Sequence, residues 1–446
     1  MEFLPPSLAR THFLVSLGFF VLFLAIALAL AWALLLFKLQ ARQTGDPGWT
    51  AAYRLWVRVF ALSFVLALAG CVPLLFQLGS LWPILMERVG NVLGPLIGFS
   101  VVTVFVLKSC FLGVMLFGQR RVSDLAHTLS VLMVALGLLL WVFWVAAMVS
   151  WTHTPAGAVL VEGRYVVVDW MQAVFNRSLP WLFASMVLAS FLAGGFMMIG
   201  VSAWQALQRP LIDGEKSAFR VGLFMAGAAL VLQLAAGVGT ARLVAEVQPA
   251  KAAAAAGYWH SGEPASWILF AWPDATAERN VAQASLGRLP GWWLGGVEGG
   301  GALGLDAFSG MLPPVAAVFW SFRVMALAGL AMLLVAAITL LWLRRRHFEP
   351  STLPRWWLHV LAASGWLGGI ACVAGWVYME LGRQPYVVYN TVTLSEIQGD
   401  APVSWLAGSL AGHLVLYGVL SVGFLRMVFH AARYGVVPVR KAGARA

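Results

Sequence analysis

Few side chains of this chain can do chemistry, and each stands out because its surroundings are apolar. Glu380 is the one carboxylate well inside an apolar segment, three residues before Arg383. It can either pair with that arginine to anchor a helix end, or ligate or protonate a buried cofactor, and the residues leave both interpretations open. Arg323 and Met325 begin another apolar segment. A thioether can ligate heme iron and a guanidinium can pair with propionates, although packing is the commoner role of such a methionine.

Other polar residues in apolar segments are candidates of lower specificity. Lys108 lies in the middle of one segment, where a cation needs a partner, and we expect it to be paired. His413 is the only one of eight histidines deep in such a segment, as either a hydrogen-bonded core residue or a ligand. The three cysteines lack the spacing of a disulfide framework, a zinc site or covalent heme attachment. Metalloprotease, phosphate-loop and dinucleotide motifs are absent from the sequence.

The composition predicts that membrane helices carry these residues. Hydrophobic residues make up 61% of the 446 residues and charged residues 11%, and the mean hydropathy is +0.84. A soluble domain would carry roughly a quarter charged residues. This excludes a soluble enzyme, a disordered chain and a nucleic-acid-binding module, in spite of the net charge of +11.

Apolar stretches of about 20 residues span a bilayer as helices. The sequence has nine such stretches, so we predict an all-α polytopic membrane bundle that forms a single domain over 1–446. They lie near 13–38, 55–78, 92–118, 125–150, 179–207, 218–243, 313–343, 357–381 and 403–432.

The distribution of basic residues predicts the orientation. More than half of the 29 lysines and arginines lie in the connections after spans 1, 3, 5 and 7 or in the C-terminal tail, including Arg120-Arg121 and Arg344-Arg345-Arg346. Basic connections stay in the cytoplasm. We therefore predict an outside N-terminus, a cytoplasmic C-terminus and an external connection over 244–312. We expect this connection to be an irregular surface loop. A shorter external segment, 151–178, holds either a short strand or a plain connection.

Several segments, taken in order along the chain, resemble subunit I of cytochrome bd-type quinol oxidases. The most specific runs from Gly375-Trp376 to Glu380-Leu381-Gly382-Arg383-Gln384-Pro385. The others are Phe60–Phe64, Phe76–Trp82, Val89–Gly94, Val134–Gly137, Gly200–Trp204 and Phe322–Met325. The number of spans and the long connection after span 6 also match this family.

The resemblance implies a subunit of a complex that oxidises quinol and reduces oxygen in the prokaryotic cytoplasmic membrane. It implies three hemes of b and d type in this subunit, a second membrane subunit as partner, and a quinol-binding loop after span 6. At matching positions, the resemblance implies that Met325 is a ligand of the low-spin heme and that Arg323 lies beside it. It implies that Glu380 is a ligand of a high-spin heme, with Trp376 and Arg383 nearby. Arg10 matches a basic residue at the start of span 1, and Lys251 matches a quinol-loop residue with Trp259 near it.

The departures from the family pattern are more informative than the matches. Phe20 and Ser185 stand where the family has histidine ligands. Ser100 and Lys108 replace two carboxylates of its proton route, Ala256 replaces a quinol-loop glutamate, and Leu138, Leu139 and Leu140 replace polar residues. Phenylalanine cannot ligate iron, and a lysine is cationic unless desolvated.

We therefore predict a degenerate paralogue of subunit I that binds fewer than three hemes or none, beside a complete heme-bearing subunit. Whether this chain is itself an enzyme stays open. One alternative is an active, divergent subunit I beside an ordinary second subunit, with relocated ligands and His413 as the first candidate. Another is a transporter or channel with Lys108 and Arg323 along its pathway, which is disfavoured because inverted repeats are not evident.

Overall fold

The computed structural model describes residues 5–262, 266–288, 303–308, 310–346, 348–397, 399 and 401–435. Within these ranges nine helical segments are long and apolar enough to cross a membrane, which confirms the predicted all-α membrane bundle.

Long helices make up the spans and short ones lie between them. The helices are α1 (Pro5–Thr44), α2 (Pro47–Ser80), α3 (Pro83–Val106), α4 (Gly113–Phe117), α5 (Asp124–His153), α6 (Trp170–Val174), α7 (Leu179–Gln208), α8 (Asp213–Val247), α9 (Pro249–Ala256), α10 (Val315–Leu343), α11 (Arg355–Ser364), α12 (Leu367–Gly382) and α13 (Val403–Tyr434). Single 3-10 turns occur at Leu305–Phe308, Pro350–Thr352 and Ser395–Ile397.

Two of the spans are not uniform α-helices. The third consists of α3 and α4 joined by a π-helical segment, Leu107–Leu112. The eighth was predicted as one helix, and the structure divides it into α11 and α12 at Gly365-Trp366. The backbone of α7 comes very close at this break, because a Cβ added to Gly200 would lie 2.8 Å from the Cα of Gly365.

Among the described residues, three antiparallel hairpins lie between the helices. They pair β1 (Ala158–Val161) with β2 (Arg164–Val167), β3 (Ser266–Asp274) with β4 (Arg279–Arg288), and β5 (Tyr386–Val388) with β6 (Val392–Thr393). The first hairpin shows that segment 151–178 contains short strands. Ala158 lies opposite Val167, Ser266 opposite Arg288 and Tyr386 opposite Thr393.

The interpretation of 244–312 as an irregular loop is wrong for its described residues. Helix α8 continues to Val247, α9 follows at once, and β3 and β4 form a hairpin. The alanine run that ends at Ala256 favours a helix. In β3, Ile268 and Ala271 are buried against Phe319 of α10, so the hairpin lies on the bundle.

Consecutive spans alternate in direction, which gives the bundle two distinct ends. We call the end with the connections 151–178 and 244–312 the loop end, and the end with Arg120-Arg121 and Arg344-Arg345-Arg346 the basic end. That the loop end faces outward stays a prediction from the distribution of basic residues.

Helix α1 is the centre of the bundle. In its most apolar stretch 83% of the residues are buried inside the protein, against 17% for α13. It contacts α2, α5, α7, α12 and α13. Small residues permit this close approach: a Cβ added to Gly194 of α7 would lie 2.3 Å from the Cβ of Ala29.

The contact between α12 and α7 gives a prediction about stability. A Cβ added to Gly368 would lie 2.5 Å from the Cα of Ala193, whereas one added to Gly329 of α10 would meet nothing within 4 Å. We expect Gly368→Ala to destabilise the protein by about 1–3 kcal/mol, because the backbone of α7 must shift. Gly329→Ala is the matched control, and alanine should be neutral or slightly favourable there. Thermal denaturation in detergent measures both, and equal midpoints would contradict the packing described here.

Candidate functional site

Five polar side chains are buried side by side at the loop end, and we call them the loop-end cluster: His153, Gln248, Lys251, Glu380 and Arg383. They come from the end of α5, the start of α9 and the end of α12. Four of the five are less than a tenth exposed, and Glu380 is nearly so. Three residues that the resemblance singled out, Lys251, Glu380 and Arg383, are thus brought together by the fold.

Glu380 and Arg383 form an ion pair across less than one helical turn. An Arg383 Nη atom donates to Glu380 Oε2 over 2.7 Å, with the two side chains 9% and 12% exposed. The same guanidinium donates to the hydroxyl of Thr152 on α5. Its Nε has no hydrogen-bond partner among the described residues. The pair therefore attaches the end of α12 to the end of α5. This contact matches the first of the two roles considered for Glu380, that of an ion pair that anchors a helix end.

Lys251 points into the protein. Its Nζ donates to the carbonyl oxygen of Met379 over 3.3 Å and lies 4.7 Å from the centre of the Tyr378 ring. Burial and the nearby Arg383 guanidinium lower the pKa of Lys251 to about 7, and the Glu380 carboxylate offsets part of this. Near neutral pH this amine can therefore hold or release a proton.

His153 and Gln248 complete the cluster. Gln248 Nε2 donates to His153 Nδ1 over 2.8 Å, which leaves the ring proton on Nε2. That Nε2 is buried with no partner among the described residues. The sequence placed His153 in an external connection, but it ends α5 and is only 6% exposed. Nothing in its local sequence indicates this contact, since Gln248 is 95 residues away.

The remaining basic candidates join elements at the same end. Arg10 donates to Gln384 Oε1 over 2.6 Å, which ties α1 to the residues after α12. Arg323 donates to the carbonyl oxygens of Ala255 and Ile268, each over 2.6 Å. Its guanidinium also lies 4.1 Å from the centre of the Phe319 ring. Arg323 therefore holds both α9 and β3 on α10.

Trp259 also lies in the connection 244–312, which Arg323 holds on α10. It is 6% exposed and its indole nitrogen donates to Asn280 Oδ1 over 2.9 Å.

Met325 and Ser185 each contact a neighbouring helix. A Cβ added to Gly375 would lie 3.1 Å from Met325 Sδ, so the thioether rests on the backbone of α12. The hydroxyl of Ser185 lies 3.5 Å from that of Thr240 on α8. Trp376 is 7% exposed and packs in the main core with α1 and α5.

Aromatic packing fills the region around Phe20, where the resemblance implies a histidine ligand. Phe20 and Trp141 are 4% and 0% exposed, with ring centres 5.6 Å apart. A Cβ added to Gly70 of α2 would lie 2.9 Å from the Cα of Phe20. Helices α1, α2 and α5 are therefore in direct contact at this level.

These contacts decide how well the chain fits hemes. At Phe20 there is no ligating atom and the neighbouring aromatic rings occupy the space, so the residues do not fit a heme. At Ser185 the hydroxyl faces Thr240, and a hydroxyl does not replace an imidazole as ligand of a low-spin heme. Glu380 keeps a carboxylate that can ligate iron, but Arg383 holds it in an ion pair.

One pair of histidines escaped the sequence reasoning. His12 Nε2 lies 3.1 Å from His413 Nδ1, where α1 meets α13, and His12 is 1% exposed. The sequence singled out His413 alone, since the two are 401 residues apart. The second imidazole could not be assigned without the packing of α13 on α1.

The fold and the cluster define a multi-span membrane subunit with a polar centre at one end. The profile of the family cytochrome bd terminal oxidase subunit I matches residues 8–436. The chain is 28% identical to cytochrome bd ubiquinol oxidase subunit 1 of Bacillus subtilis (strain 168), over 93% of this chain and 89% of that protein. It is 27% identical to cytochrome bd-II ubiquinol oxidase subunit 1 of Escherichia coli (strain K12), over 96% of each.

A solved structure has the same fold. The bd oxidase from Geobacillus thermodenitrificans superposes with a TM-score of 0.87 at 22% identity, covering 97% of this chain and 99% of that one. The chain therefore belongs to the cytochrome bd terminal oxidase subunit I family, and is a multi-pass protein of the bacterial cytoplasmic membrane. It is a membrane subunit of a bd-type terminal quinol oxidase, and heme is the cofactor of its family.

The buried amine of Lys251 gives a prediction about pH. Its pKa is lowered in the folded protein to about 7 from an ordinary value of 10.5. Between these values the unfolded chain binds more protons, so stability rises with pH. From pH 7 to pH 9 we expect wild type to gain about 2 kcal/mol relative to Lys251→Met, which keeps the methylene stem. Thermal denaturation in detergent at several pH values measures this, and parallel profiles would show that the amine titrates normally.

The contacts of Arg323 give a prediction about the connection. Arg323→Gln removes hydrogen bonds to two carbonyls that lie on separate elements, each worth about 1.5–3 kcal/mol. We expect limited proteolysis within α9 to β4 to be at least about tenfold faster, because local opening becomes easier. Arg177→Gln is the control, since its ion pair with Glu246 is exposed. Equal cleavage rates in both variants would contradict this role.

Proposed function

We propose that this chain is a degenerate subunit I paralogue that serves as the structural partner of a complete heme-bearing subunit in a bd-type quinol oxidase. The packing of Phe20 against Trp141 carries the proposal. It supplies neither a ligand nor space where the family resemblance implies both. In the complex, the complete subunit would oxidise quinol and pass the electrons through its hemes to oxygen.

The other implied cofactor positions support the same proposal. Arg323, the implied neighbour of a heme, uses its guanidinium on two backbone carbonyls instead. Met325 rests on α12, and Ser185 faces Thr240. Of the implied iron ligands, Glu380 keeps a suitable carboxylate, so a single heme at this position is the most that we propose for the chain.

The burial of Lys251, the implied quinol-loop residue, also favours a structural role for the chain. Lys251 is 3% exposed and its amine faces the end of α12. A quinol would reach it only if α9 moved away from α12. We propose that Lys251 attaches the connection to the bundle, and that quinol binds to the complete partner subunit.

One observation favours the alternative of an active subunit with relocated ligands. The His12–His413 pair places two imidazoles together near the loop end, as ligands of one metal centre would require. His413 was the first residue expected in such a role. The pair is nevertheless explained by its own contacts, because His413 Nδ1 also lies 2.8 Å from the carbonyl oxygen of Ser409.

Heme content tests the proposal. We expect the purified chain to contain at most one heme per polypeptide, and its complex from native membranes to show a full reduced-minus-oxidised spectrum. Glu380→Gln should remove any heme that the isolated chain retains, because the amide is a poor iron ligand. Two or three hemes in the isolated chain would overturn the proposal.

Two variants separate the alternative from the proposal. His12→Ala and His413→Ala should leave the heme content of the complex unchanged if the chain is structural. Loss of one heme from either variant would establish the relocated-ligand alternative.

A further inference from the structure

The β3–β4 hairpin exposes large apolar side chains, although it belongs to a connection between two spans. Soluble proteins rarely leave a contiguous patch of this kind open to water. The exposed apolar side chains of the hairpin, which we call the outer face, are Trp267, Leu269, Phe270, Trp272, Val281 and Leu286. The charged residues of 266–288 are confined to the turn and the last position: Asp274, Glu278, Arg279 and Arg288.

Polar side chains of the hairpin turn toward the protein instead. Residues directly opposite each other in an antiparallel pair share a face of the sheet. Ala271 is buried against the bundle and lies opposite Gln283. Asn280 accepts a hydrogen bond from the Trp259 indole and donates to the carbonyl oxygen of Gly257 over 3.0 Å. A hairpin on a protein in water usually shows the reverse pattern, with polar side chains outward. The outer face therefore suits apolar surroundings.

Helix α10 shows at which depth the hairpin lies. From Trp320, the exposed residues Val324, Leu327 and Leu334 follow at helical spacing on one face of α10. This face ends at Trp342, which lies 22 residues after Trp320, or about 33 Å along the helix. The hydrocarbon of a bilayer is about 30 Å thick, and tryptophans are enriched at both of its boundaries. Trp320 and Trp342 therefore mark the two boundaries.

The outer face lies at the level of Trp320. The ring centres of Phe270 and Trp272 lie 5.1 and 6.5 Å from that of Trp320. Trp181 and Trp405 are exposed at the third residues of α7 and α13, which also begin at the loop end. These tryptophans form an aromatic belt at this end, and the outer face continues both the belt and the exposed side of α10.

We propose that the β3–β4 hairpin docks on the lipid leaflet at the loop end, with its outer face at the boundary between headgroups and hydrocarbon. The charged turn then lies among the headgroups. Arg323 holds β3 from the protein side through the carbonyl oxygen of Ile268, and the leaflet holds the opposite side. The inference goes beyond the proposed function, because it is the same whether or not the chain binds heme.

The chemistry of the outer face favours phospholipid over a second protein. A protein interface carries direct hydrogen bonds as well as apolar contacts. The only polar side-chain atoms of the outer face are the indole nitrogens of Trp267 and Trp272. An indole suits the edge of a membrane, because its ring is apolar and its N–H can reach the headgroups. Lipid also covers the exposed side of α10 that the outer face continues.

Spin labels measure the surroundings of the outer face directly. The chain is purified in its complex from native membranes, with the three native cysteines replaced by alanine, and is returned to bilayers of phosphatidylethanolamine and phosphatidylglycerol. Leu269→Cys and Val281→Cys carry the label on the outer face, Ala277→Cys carries it on the turn, and Leu327→Cys on the exposed side of α10.

Accessibility to oxygen, which concentrates in hydrocarbon, is compared with accessibility to a water-soluble nickel chelate. We expect the oxygen-to-nickel ratio at Leu269→Cys and Val281→Cys to exceed that at Ala277→Cys at least about threefold and to approach that at Leu327→Cys. A ratio equal to that of the turn would place the outer face in water and overturn the inference. Low accessibility to both reagents would also overturn it, because protein would then cover the face.

Charged variants test whether the apolar character of the outer face causes the docking. In a chain labelled at Leu286→Cys, the pair Leu269→Glu and Val281→Glu should lower the oxygen-to-nickel ratio at least about threefold, because carboxylates avoid the hydrocarbon boundary. Ala277→Glu is the matched control and should leave that ratio unchanged. The ratio at Leu327→Cys should be the same with and without the pair, which shows an intact bundle. An unchanged ratio at Leu286→Cys in the paired variant would overturn the inference.

Discussion

The central helix α1 must be packed on every side, and much of the structure depends on how this chain meets that requirement. Small residues let α2 and α7 approach it closely, as at Gly70 and Gly194. Phe20 and Trp141 then fill the remaining space with aromatic rings. Interiors tolerate few voids, so side chains that fill a region remove the room for a prosthetic group. The chain therefore has the fold of an oxidase subunit, and its own side chains fill the core around Phe20.

The loop end is held by charges that the protein satisfies internally. Arg323 donates to backbone carbonyls on α9 and β3, and Arg383 joins Glu380 to α5. Lys251 stands among these groups as a buried amine with a pKa lowered to about 7. A fully desolvated cation beside an arginine is costly, and partial neutralisation reduces that cost. The arrangement suits attachment of the connection more than exchange of a substrate.

Lys108 presents the opposite situation, because no described residue satisfies it. A membrane interior offers no water to an exposed ammonium group, so a charge at this position is costly unless a group outside the described residues pairs with it.

The sequence by itself determined the membrane class, the nine spans and the family, because hydropathy over about 20 residues and ordered motifs are local properties. That Phe20 and Ser185 stand at the family's ligand positions stays a prediction, which rests on counting within one helix. Only the tertiary structure decided that His12 meets His413 and that Gln248 binds His153, contacts between residues 401 and 95 positions apart. It likewise decided that Arg323 binds loop carbonyls and that Lys108 faces outward. Such pairings depend on how the helices rotate and pack against one another, which the apolar pattern of a single, nearly uniform span does not specify.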